Sequence, residues 1–217
     1  MRRSLILAGF LMAGLSLSLA PRAHAGKPPA GAKEEKIPLI TMTGVSAMDG
    51  VFGEGRDIQV KLDGENKHLK EGRGNLNTAL GVATDAPVAT ALAGLKASAN
   101  GKLKIVLAGR VPHLQPSDAV PENVQKGVDA VNHLTDDADK AATTAVGLKG
   151  DAVRVFEACK DFPGKLPSLV SNPMELPKAT KITADNVKAI SDFPKYIDRI
   201  AADVDGIFKD VGTVFAE

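Results

Sequence analysis

The chain has 217 residues, with 27 basic and 26 acidic side chains and a formal net charge of +1. So even a balance excludes the basic footprint of a nucleic-acid binder. The absence of tryptophan, with one tyrosine and seven phenylalanines, removes the aromatic platforms used for sugars and single-stranded bases, and the single cysteine, Cys159, excludes an internal disulfide framework.

The chain opens with Met1-Arg2-Arg3, runs uncharged and apolar from Leu5 to Ala20, and closes this stretch with Pro21-Arg22-Ala23-His24-Ala25. A basic start, an apolar middle and small residues at the cut define an export signal over residues 1–25. The 16 positions of the run fall short of a membrane-spanning helix, which needs about 20. Arg2-Arg3 lack the flanking pattern of the twin-arginine route, so general secretory export to the periplasm or the extracellular space is expected. No cysteine follows the run to carry a lipid anchor, and cleavage after Ala25 leaves 24 basic against 26 acidic residues, a net charge of −2. Residues 26–36, GKPPAGAKEEK, read as a flexible leader, and residues 37–217 as one helical domain.

Val45 to Val82 carries Leu62, Leu69 and Leu76 at sevens, with Met48 and Ala83 in the same register. That stripe predicts a long helix in spite of seven glycines, each costing about 1 kcal/mol relative to alanine. The competing strand reading rests on Ile58, Val60 and Leu62 alternating with Gln59 and Lys61. A shorter helix is expected from Pro87 to Ala99, stopped by Asn100-Gly101. Leu103, Ile105 and Leu107 then alternate with Lys102 and Lys104, Ala108-Gly109-Arg110 reads as a turn, and Val111 to Leu114 returns, so a β-hairpin is expected near residues 102–115.

From Pro121 to Phe162 two seven-residue series interleave. Val124, Val131, Ala138, Ala145, Ala152 and Cys159 form one; Val120, Leu134, Ala141, Leu148 and Val155 form the other, broken at Gly127. These are the a and d positions of a heptad seam. Pro121 suits a helix start, with Glu122 in the first turn. The C-terminal stretch repeats the pattern with Ile190, Ile197, Val204 and Val211 against Phe193, Ile200, Ile207 and Val214, with Thr183 as the expected N-cap and a kink or break near Asp192 caused by Pro194. A short echo, Asp161-Phe162-Pro163 and Asp192-Phe193-Pro194, places an aromatic ring before a proline in both regions.

The chemistry-bearing residues are sparse. His133, Asp136 and Asp137 stand at ligand spacing on one helix, but the heptad register turns His133 and Asp136 outward, as a solvated face. His113 has no ligand-spaced neighbour in the sequence, and His68 is not read as a ligand. No haem-attachment, di-iron, phosphate-loop or nucleophile-elbow motif occurs, and Cys159 falls on the core series. No cofactor, metal or small-molecule substrate is therefore expected.

These observations predict an all-α antiparallel bundle of three long helices and a shorter one, with a small β-hairpin. The expected function is that of an exported, non-enzymatic interaction or scaffold protein of the cell envelope, acting through the polar faces of its helices on an envelope protein. The alternative is a membrane-active protein that meets a lipid surface through the hairpin. The candidate contact residues are Lys102, Leu103, Ile105, Leu107, Arg110 and Val111, because so many apolar residues with flanking cations are unusual in a loop.

Overall fold

The computed structural model describes residues 37–216. Within them the order is α1 (Ser46–Ala79), α2 (Val88–Ala99), β1 (Leu103–Ala108), β2 (Val111–Pro116), α3 (Glu122–Cys159), α4 (Phe162–Leu169) and α5 (Leu176–Phe215). Residues 1–25, read above as an export signal, and 26–36, read as a leader, lie outside the described residues.

The heptad seam organises the bundle, with α3 packed along both α1 and α5. Every member of its first series, from Val124 to Cys159, is buried, as are Leu134, Ala141, Leu148 and Val155 of the second, while Val120 is half-buried just before the helix. The break at Gly127 is a close-packing point: a Cβ there would stand 2.7 Å from both Leu80 Cδ2 and Leu95 Cδ1. Glycine at this d position lets the end of α1 and the side of α2 reach the backbone of α3.

Pairings along the helices give their directions. A Cβ on Gly55 would meet Ile190 at 3.0 Å and Val155 at 3.6 Å, and one on Gly72 would meet Leu134 at 3.0 Å. Early α1 therefore lies beside late α3, and the two run antiparallel. Lys149 pairs with Asp198 and Arg73 with Asp203, so α5 runs antiparallel to α3 and parallel to α1. At the far end Lys96 of α2 donates to the carbonyls of Val214 (2.7 Å) and Ala216 (3.3 Å), the last turn of α5.

The strand reading of residues 58–62 fails on exposure. Ile58 and Leu62 are buried but Val60 is 61% exposed, which is the i, i+4 pattern of a helix face. Ala83 departs from its expected register, because α1 ends at Ala79 and Ala83 sits exposed in the following turn.

Three further differences come from α4 and α5. Helix α4, in the proline-rich sequence FPGKLPSL, was not expected; it forms because Pro163 occupies its first turn, where a missing N–H costs nothing. It buries Phe162 and Leu166, and the Phe162 ring meets Phe52 edge-on at 5.5 Å. Thr183 is no N-cap: α5 starts at Leu176, and Thr183 lies inside it, fully buried, with its hydroxyl 4.0 Å from Met48 Sδ. Pro194 does not interrupt α5, whose apolar series continues beyond it through Ile197, Ile200, Val204 and Ile207.

The chain enters along an extended strap, 37–43, laid between α1 and α5. Ile37 and Ile40 are buried, and the strap backbone bonds to side-chain amides. Gln59 Oε1 accepts from the Ile40 N–H at 2.9 Å. Asn186 accepts from the Thr41 N–H at 3.0 Å and donates to the Thr41 carbonyl at 2.6 Å. Asp49, in the first turn of α1, closes the corner by accepting from the N–H groups of Thr43 (2.7 Å) and Gly44 (3.0 Å).

Candidate interaction surface

The hairpin carries all six candidate contact residues. It begins where α2 stops: Asn100 takes the left-handed conformation at φ 50° and Gly101 follows at φ 75°. The antiparallel register pairs Leu103 with Pro116, Ile105 with Leu114 and Ala108 with Val111. The two-residue turn is therefore Gly109-Arg110, and Gly109 supplies the positive φ of 66° that such turns require.

Hydrogen bonds outside the ladder fix which backbone groups face inward. The Ser117 N–H donates to the Lys102 carbonyl at 2.8 Å, so on β1 the even residues, Lys104, Val106 and Ala108, bond to β2. The odd residues Leu103, Ile105 and Leu107 turn their N–H and C=O groups away from it.

On β2 the outward residues are Pro112, Leu114 and Pro116, and that edge is closed. The two prolines have no N–H to offer. Asn132 of α3 accepts from the Leu114 N–H at 2.8 Å and donates to the Leu114 carbonyl at 3.0 Å. Two more contacts extend the clasp along α3: His113 Nε2 stands 2.8 Å from Asp136 Oδ1, and Arg110 Nε donates to Asp139 Oδ1 at 2.6 Å, with Thr143 Oγ1 3.4 Å from Nη2. Asn132, Asp136, Asp139 and Thr143 form one polar stripe at helical spacing.

That stripe was visible in the sequence as a row beside the apolar seam. Its partners were not, because they lie 18 to 33 residues away. His113, without neighbours in the sequence, thus gains one in the fold.

The candidate residues separate into two sets. Val111 is buried and Leu103 and Ile105 are half-buried against the core. Lys102 is exposed, its ammonium 3.3 Å from the Ala119 carbonyl. Arg110 is exposed but tied to α3. Leu107 is 66% exposed, and Val106 beside it is 41% exposed.

Other chemistry-bearing groups are dispersed. His133 lines an open groove of about 460 Å³ between α1 and α3 with Asp129 and Asp137, and His68 lines an adjoining one of about 250 Å³ with Glu65 and Glu71. Among the described residues no three His, Cys, Asp or Glu stand close enough to hold a metal ion. Cys159 is buried, and removal from water pushes its thiol up from about 9 to about 11, so it stays protonated at neutral pH. Among the described residues no helix is long and apolar enough to cross a membrane. No protein-family model, curated protein or solved structure matches the chain.

Proposed function

We propose that the protein is an exported, non-enzymatic interaction protein of the cell envelope, which meets its partner through the β1 side of the hairpin. The export reading rests on the signal pattern of residues 1–25. The observation that carries the interaction reading is the asymmetry of the hairpin. One edge is consumed by α3 through Asn132, while the opposite side leaves Lys104, Val106 and Leu107 in solvent. Exposed valine and leucine on a strand tie up no core contacts, and covering them with a partner gains about 25 cal/mol per Å² of apolar surface.

A lipid surface is the second reading, supported by the same exposed pair beside Lys102 and Lys104. It is the weaker one: Leu103, Ile105, Val111 and Leu114 turn toward the bundle and Arg110 is held by Asp139. Two exposed apolar residues give a small anchor.

Photo-crosslinking in intact cells tests the proposal. A crosslinker at position 106 is expected to trap envelope protein, whereas one at Lys149 on α3 traps none. Equal yields at the two positions would remove the hairpin from the proposal, and crosslinks to lipid alone would replace it with the second reading.

A further inference from the structure

We infer that the open edge of β1 is a strand-addition site for an extended, acidic segment of a partner protein, so that the hairpin becomes a three-stranded sheet on binding. The inference rests on the interaction reading above and specifies its mode.

An edge strand is a template for any extended chain unless something blocks it. The hairpin has two edges. Prolines and hydrogen bonds block that of β2, while along β1 the end of α5 lies near Leu103 and, among the described residues, no hydrogen bond occupies the outward groups beyond it. On β2, prolines at 112 and 116 remove two outward donors and Asn132 occupies the third position completely. On β1, Leu103, Ile105 and Leu107 all retain an N–H, and among the described residues none bonds to the outward groups of Ile105 or Leu107. The bundle therefore presents a short row of unpaired donors and acceptors at fixed spacing, beside an exposed Leu107.

Charge decides the occupant. From Gly101 to Pro116 every charged side chain is basic: Lys102, Lys104 and Arg110. Arg110 is committed to Asp139, and Lys104 is exposed with no carboxylate partner among the described residues. A second copy adding its own β1 antiparallel would bring two uncompensated Lys104 side chains into diagonal reach, with no acidic residue on either hairpin to separate them. A strand with carboxylates at alternate positions meets Lys104 favourably and lays its apolar residues beside Ile105 and Leu107.

The full chain is titrated with two synthetic octapeptides, alternating valine with glutamate and valine with lysine, and with the glutamate peptide N-methylated at alternate residues. The Val-Glu peptide is expected to bind at least tenfold more tightly than the Val-Lys peptide and to slow hydrogen exchange at the amides of Ile105 and Leu107. N-methylation and Leu107→Pro should each weaken it about tenfold, the effect of losing one or two hydrogen bonds. Lys104→Glu should invert the charge preference. Leu107→Pro copies what Pro112 does on the opposite strand and removes only an outward N–H; were it to unfold the protein, the N-methylated peptide tests the same bond.

Equal binding of both octapeptides, binding indifferent to N-methylation, or no binding at all overturns the inference. A dimer that Leu107→Pro dissociates would assign the edge to a second copy, and flotation with acidic vesicles without peptide binding would assign it to lipid; either overturns it too. Crosslinking from position 106 that persists in Leu107→Pro would remove strand addition alone and leave the interaction reading standing.

Discussion

The seam of α3 and the clasp of the hairpin attach chain segments to the same helix by opposite chemistry. Along the seam, apolar side chains from Val124 to Cys159 meet those of α1 and α5. At the hairpin and the strap, side-chain amides do the holding: Asn132 grips both sides of Leu114, Asn186 grips both sides of Thr41, and Gln59 takes the Ile40 N–H. The difference follows from what each segment brings. A helix arrives with its backbone already bonded and needs only apolar complementarity. An extended segment arrives with unpaired N–H and C=O groups, and burying them unsatisfied is costly. An amide side chain places an N–H donor and a carbonyl acceptor side by side, in the geometry of a missing strand.

The largest effect should come from the seam. Leu134→Ala and Leu148→Ala each remove a buried side chain and are expected to cost about 2 to 5 kcal/mol in denaturant unfolding. Costs below about 1 kcal/mol at both would show that the seam is not the principal support. At the clasp, Asn132→Leu keeps the size but strands both polar groups of Leu114, and about 1 to 3 kcal/mol should be lost, with faster exchange at the Leu114 amide. An Asn132→Leu variant as stable as the wild type would abolish the contrast between apolar and amide attachment.

Cys159 sharpens the comparison from the seam side. Its folded value of about 11 lies above the ordinary value near 9, so the unfolded chain releases its proton first. The contribution is fully present below about pH 9 and is lost as pH rises toward 11, an effect on the order of 2 kcal/mol. Unfolding curves of Cys159→Ala and wild type should therefore converge or cross across that window, and parallel pH profiles would place the thiol in water. The smallest effect is expected at the rim of the clasp. Arg110→Ala breaks an exposed ion pair, and a loss under about 1 kcal/mol that fades in high salt should be seen in thermal melts at two ionic strengths.

Much of the fold was legible because its signals are local and periodic. The three long helices, the stop at Asn100-Gly101 and the hairpin turn at Gly109 follow from spacing and backbone preference alone. The contact surface was legible only as a list of residues. Spacing named Leu103, Ile105, Leu107 and Val111 together, but which of them stand in solvent depends on where α3 lies against β2. No single-strand pattern contains the position of a neighbouring helix.

The two Asp-Phe-Pro echoes mark the boundary between what sequence determines and what tertiary structure decides. Both phenylalanines are buried, as an apolar ring in a helical register demands. Yet Pro163 begins a new helix after α3 has ended, while Pro194 lies inside an unbroken α5. Beyond Pro194 the heptads continue with Ile197, Ile200 and Val204, all buried against the bundle, and their packing outweighs the hydrogen bond that proline removes, about 3 kcal/mol at most helix-interior sites. Beyond Pro163 the sequence continues Gly-Lys-Leu-Pro, with Leu166 alone to bury in that turn. The sequence by itself set the periodicity, the turn residues and which apolar stripes face inward, because these depend on neighbours a few positions away. Only the tertiary structure decided where a proline is tolerated, which polar stripe receives the hairpin and which strand edge is left open, because each depends on the free energy of contacts between residues distant in the chain.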